Sequence, residues 1–195
     1  MIEYVGCVMD FCLQTDRKNS LLYESRGQGK TLRRLKQNFS GKMAELYVNK
    51  HLKAGCEDHI LKDYGMGVFH SDLSYQGRGF SIKSQDQESI SQYGSGRFVF
   101  GINDPLRSDV YCGVIVDYQF KPVSDWYFEE EEEFKSWCQS IEQVKCKYDF
   151  VCKRAALDGD VWAEADGHLK GKKVLLSSKI ALSDRLDLKN SFPKQ

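Results

Sequence analysis

The stretch VYCGVIVDYQF, residues 110–120, constrains the fold most. Apolar residues fill it at odd and even positions alike, so it reads as a strand buried in the centre of a sheet. RFVFGI (97–102) reads as a further strand. Helical patterns flank them. One helix is expected from Thr31 to Asn38. A second is expected from Ser40, which can cap it, through GKMAELYVNKHLKA to a stop at Gly55. On it Ala44, Val48 and Leu52 form an apolar stripe, with Tyr47 alongside and Glu45 at its flank. A third helix is expected over 129–145, where Phe134, Trp137, Cys138, Ile141 and Val144 recur at helical spacing. The glutamates at 129–133 then sit at its N-terminus, where the helix dipole favours them. More strands with Gly-containing turns follow. The fold class is α/β, with α+β the alternative.

At 195 residues the chain can bury a core of its own. We divide it into a basic N-terminal extension or small subdomain over 1–39 and a main domain over 40–195. The main domain has its core at 40–145 and accessory strands at 146–195. Residues 1–28 show an apolar start and then a polar stretch, without a readable period. No apolar run could span a bilayer, and the N-terminus lacks a signal-peptide pattern. We therefore expect an intracellular protein, not secreted and with no membrane partner. The seven cysteines are scattered without a CxxC pair, which points to reduced, mostly buried thiols rather than a zinc site.

Twenty-eight basic and twenty-eight acidic residues balance, yet seven Lys/Arg against one acid crowd between Arg17 and Lys36. A solvated face explains such a run, and so does a nucleic-acid contact. Two motif-like stretches are decoys. GQGKT (27–31) lacks the glycine a phosphate-binding loop needs at position 24, where Glu24 stands. DGDVWAEADG (158–167) places Trp162 where a calcium loop needs an oxygen ligand.

SDLSYQGRGFSIKSQ (71–85) reads as a hairpin. With Gly77-Arg78 as a two-residue turn, Tyr75 faces Phe80, Ser74 faces Ser81, Leu73 faces Ile82 and Asp72 faces Lys83. Alternation then puts Phe69, Leu73, Tyr75, Phe80 and Ile82 on one face. His70, Asp72, Ser74, Ser81, Lys83 and Gln85 share the other. An outer hairpin with a wet face and a cross-strand ion pair would explain these residues. So would an Asp72-bound divalent cation beside a lysine that orients a water, the pairing phosphodiester cleavage requires.

The ordered set SGKMAELYVNKHLKAG, then Asp72, then an apolar strand ending in SIK, resembles the core of the PD-(D/E)xK nuclease superfamily. Its restriction-endonuclease-like fold, shared by archaeal-type Holliday-junction resolvases, has a central mixed β-sheet flanked by helices. The matching positions are Gly41 and Glu45 on the helix, Asp72, and Ser81-Ile82-Lys83, with 110–118 as the next core strand. Ser81 stands where the second carboxylate is expected. The resemblance implies Asp72 and Glu45 as metal ligands, with the Ile82 carbonyl, for Mg²⁺ or Mn²⁺. It also implies Lys83 as the residue that positions water, assisted by Gln85. Arg78, Arg97, Arg33, Arg34 and Lys36 are candidate phosphate contacts. The implied function is a metal-dependent endonuclease acting on DNA, with homodimerisation open. The alternatives are a catalytically inactive DNA-binding or protein-interaction module on the same fold, and an unrelated α/β protein.

Overall fold

The computed structural model describes residues 1–25, 31–63, 71–93, 97–101, 108–122, 129–154, 162–164, 172–176, 180 and 182–186. Among these residues α-helices run α1 (Val5–Ser25), α2 (Thr31–Leu52), α3 (Glu57–Ile60), α4 (Gln87–Tyr93) and α5 (Glu130–Ser140). The described strands are β1 (Leu73–Tyr75), β2 (Arg78–Asp86), β3 (Arg97–Gly101), β4 (Val110–Phe120), β5 (Ile141–Lys153), β6 (Trp162–Glu164) and β7 (Lys172–Leu176). The class is mixed α/β, as expected. The principal sheet has the order β1-β2-β4-β5. Only the β2–β4 pair is parallel, and the crossover between them passes through α4 and β3.

The strand 110–120 is central, with β2 on one side and β5 on the other. Its even residues Val110, Cys112, Val114 and Val116 join one core cluster with Phe39, Met43 and Ala44 of α2 and Leu73, Phe80 and Ile82 of the hairpin. Burying each large apolar side chain of this set contributes about 1.5–3 kcal/mol. The odd residues Tyr111 and Ile115 are buried on the opposite face. There Phe98 of β3 meets Phe150 of β5 edge-on, ring centroids 5.0 Å apart. A second antiparallel sheet, β3-β7-β6, thus lies against that side.

Several expected boundaries differ. The segment over 1–28 without a readable period contains the 21-residue α1. Its buried positions Val8, Cys12, Leu13 and Asp16 do follow helical spacing. The stripe is narrow and one member is an aspartate, so apolar periodicity fades. The two helices expected on either side of residue 39 are one, α2. Ser40 is no cap; it is buried mid-helix, its hydroxyl 2.8 Å from that of Tyr118. Flanking Phe39 and Met43 are both fully buried, so packing carries the helix through. The stop is Lys53 rather than Gly55. Lys53 has φ 54°, its N–H reaches the Lys50 carbonyl and the Ala54 N–H reaches that of Asn49, a Schellman closure.

The helix expected to 145 ends at Ser140, and Ile141 turns extended at φ −68°, ψ 118°. Residues 141–153 pair with β4 as β5, so Ile141 and Val144 serve a strand. Their three-residue spacing suits a helix, but the long ladder to β4 overrides it. None of the seven cysteines is in a disulfide, and four are buried. Burial pushes the Cys12, Cys146 and Cys152 thiols up to about 12, which leaves them unreactive. No described helix is long and apolar enough to cross a membrane.

Candidate functional site

The hairpin carries the expected faces in a different register. Leu73 pairs with Phe80, Ser74 with Gly79 and Tyr75 with Arg78. The two-residue turn is therefore Gln76-Gly77, with φ 50° and 73°, and not Gly77-Arg78. Positive φ at both central positions is a type I′ geometry, whose twist suits the flanking strands. A slip of two residues keeps every side chain on its face. Leu73, Phe80 and Ile82 are buried, whereas Ser81, Lys83 and Gln85 are half-buried. What changes is the neighbour of each residue, and Asp72 no longer faces Lys83.

Asp72 instead ends at the edge of β2. Its own N–H donates to the Phe80 carbonyl at 2.8 Å, although Leu73 is the residue paired with Phe80. Two residues of one strand then meet one of the other, as in a bulge, which re-aims a side chain. The Asp72 Oδ2 accepts the Ile82 N–H at 2.6 Å. Because a strand residue's N–H and C=O face the same neighbour, the Ile82 carbonyl points to the Asp72 side as well. The carboxylate and this carbonyl therefore share one edge.

Glu45 approaches the same corner from α2. It is 7% exposed, and its Oε2 accepts a hydrogen bond from Lys42 Nζ at 2.7 Å. Burial pushes its carboxyl up to about 7 against the pull of Lys42. The negative charge of Asp72 pushes the same way, while Lys83 pulls the pKa down. Asp72, Lys42 and Lys83 are thus each within electrostatic reach of Glu45. One turn beyond Glu45 the buried Asn49 uses its Oδ1 to accept the Cys56 N–H. That bond ties down the chain leaving α2.

Ser81, Lys83 and Gln85 pair with Tyr111, Gly113 and Ile115 of β4. Paired residues of a parallel ladder share a face, so this row looks toward the second sheet while Ile82 looks toward α2. Asp72, lying in the sheet edge, stands between the two sides. The acids Asp86 and Glu88 stay apart from Lys83: both line a cleft on the α2 side. Among the described residues no three Asp, Glu, His or Cys come together as a metal cluster. The donors available near this corner are the Asp72 and Glu45 carboxylates and the Ile82 carbonyl. That suits Mg²⁺, which takes one or two carboxylates and keeps the rest of its shell as water and phosphate oxygens.

The candidate phosphate contacts separate. Arg78 is exposed on the hairpin at the residue after its turn, and Arg33 is exposed on α2. Arg34 is committed within the fold. Its guanidinium makes two hydrogen bonds to the buried Asp16, at 2.6 and 3.0 Å, and lies over the Tyr23 ring. The backbone of Arg97 belongs to β3. The side chain of Arg97, along with His70, Phe69 and the GQGK stretch, lies outside the described residues.

Sequence reading missed a cleft of about 590 Å³ at the ends of β2 and β4. Arg33 and Lys36 line it with Asp86, Asp117, Glu133 and other acids, against a wall that includes Tyr118 and Trp137. Lys36 lies over the Trp137 ring, 5.2 Å from its centre. Acids outnumber bases there, so the lining disfavours a phosphate chain. No local signal could have shown the cleft, since its walls come from five separate elements. No protein-family model, curated protein or solved structure matches the chain.

Proposed function

We propose that the protein is a divalent-metal-dependent endonuclease that hydrolyses DNA phosphodiester bonds. The observation that carries this reading is the bond of Asp72 to the Ile82 amide, with Glu45 near enough to feel the charges of Asp72 and Lys83. The order of parts supports it: a Gly-x-x-x-Glu helix, an aspartate opening a hairpin, a Ser-Ile-Lys strand, then a buried central strand. This is the order of the PD-(D/E)xK nucleases that the sequence resembles, on a mixed sheet with helices packed against it.

Asp72, Glu45 and the Ile82 carbonyl would hold Mg²⁺ or Mn²⁺, which supplies charge stabilisation for the phosphate. Asp72 is held in place by the Ile82 N–H, and the rigid ladder to β4 fixes that amide. Lys83 positions the attacking water and favours its deprotonated form, with Gln85 on the same face as a neutral helper. Arg78 and Arg33 are the exposed candidates for backbone phosphates. Arg34 is reassigned to the fold.

The test is nicking of supercoiled DNA with Mg²⁺ or Mn²⁺, and with EDTA as control. Asp72→Asn keeps an oxygen for the Ile82 N–H while removing the charge, and Lys83→Met removes the ammonium. Each should lower the rate by about a hundredfold or more. Full activity in both variants would overturn the assignment. A second reading, an inactive DNA-binding or protein-interaction module on this fold, is favoured by Ser81 in place of an acid and by the lack of a three-ligand cluster among the described residues. It predicts no metal-dependent rise in melting temperature that Asp72→Asn abolishes.

A further inference from the structure

We propose that Lys42 occupies the cation position of this site in the metal-free protein, so that a divalent ion must displace its ammonium to reach Glu45. The inference rests on the metal-site reading above and concerns a lysine that the hairpin motif does not contain. Among the described residues Lys42 is the only hydrogen-bond partner of Glu45, at 2.7 Å. The side chains are 22% and 10% exposed, so this is not a solvated surface pair. A carboxylate withdrawn from water this far needs a counter-charge.

Helix stability does not account for the pair. Lysine stands on the N-terminal side of glutamate at i,i+3, the less favourable order along a helix. What the ammonium does is neutralise one of the two carboxylates that a metal would use, from a position fixed by the helix backbone. While it bonds Glu45, the same ammonium also lies 5.5 Å from the centre of the Phe11 ring on α1, a cation–π contact. Rotation of the lysine toward Phe11 would release Glu45 without leaving the ammonium unsupported.

The experiment measures Mg²⁺ affinity without DNA, at pH 8.5, from the rise of melting temperature with Mg²⁺ concentration. Wild type is compared with Lys42→Gln and Lys42→Met, and Lys42→Arg retains the charge. Removing a positive charge from beside the ion should tighten Mg²⁺ binding about fivefold in the two neutral variants and not in Lys42→Arg. If one neutral variant fails to fold, the other reports. Unchanged or weaker Mg²⁺ binding in a folded neutral variant would overturn the inference. The nuclease reading would survive that result so long as Asp72→Asn still abolishes binding. Absence of Mg²⁺ binding by wild type and neutral variants alike would remove both.

Discussion

Glu45 is the residue at which the proposed metal role and stability oppose each other. Its carboxyl titrates at about 7 in the folded protein against 4.5 as the ordinary value, with burial as the main cause. A raised carboxyl pKa means that the folded state binds more protons than the unfolded one between those two values. Stability therefore falls as pH rises from about 4.5 to about 7, and the loss is complete above that. The cost of ionising this one group is at most on the order of 3 kcal/mol. Glu45→Gln should thus stabilise the metal-free protein by about 1–3 kcal/mol at pH 8 and leave it nearly unchanged at pH 4.5. Urea denaturation at the two pH values checks this, and an equal effect at both would refute it. The helical position of Glu45, four residues after Gly41, was legible from local pattern. Its burial was not, because that depends on a distant segment packed over α2.

At the scale of the element, the hairpin shows which kind of information survives a wrong turn. Strand faces have period two, so a register error of two residues leaves the apolar and polar sets intact. Register itself depends on which pair of residues takes the turn. Gly77-Arg78 places glycine first, whereas Gln76-Gly77 requires glutamine at φ 50°. Tertiary pairing of β2 with β4 holds the second arrangement despite the strain at Gln76. Gln76→Asn should relieve it, since asparagine tolerates that region, and stabilise the protein by about 0.5–1 kcal/mol. A denaturant midpoint that stays or falls would argue for the other turn. The α5–β5 junction follows the same logic. Ile141 and Val144 fit a helical period locally, yet the ladder to β4 draws them into a strand.

At the scale of the whole molecule, a close approach between elements lies at Gly113, where β4 runs beneath Phe150 and Phe98. A Cβ there would stand 2.3 Å from a Phe150 ring carbon and 2.7 Å from one of Phe98. Gly113→Ala should therefore cost about 1–3 kcal/mol through overpacking. A melting temperature equal to wild type would mean that the second sheet does not close on this face. Periodicity along the chain was enough to mark α2's apolar stripe, the central strand 110–120, the glutamate-rich start of α5 and the two faces of the hairpin. Each of these depends on residues within a turn or a strand of one another. The fusion of two expected helices into α2, the hairpin register, the edge position of Asp72 and the Lys42–Glu45 pair arise otherwise. They depend on contacts between segments far apart in sequence, which no local period encodes, and only the folded chain decides them.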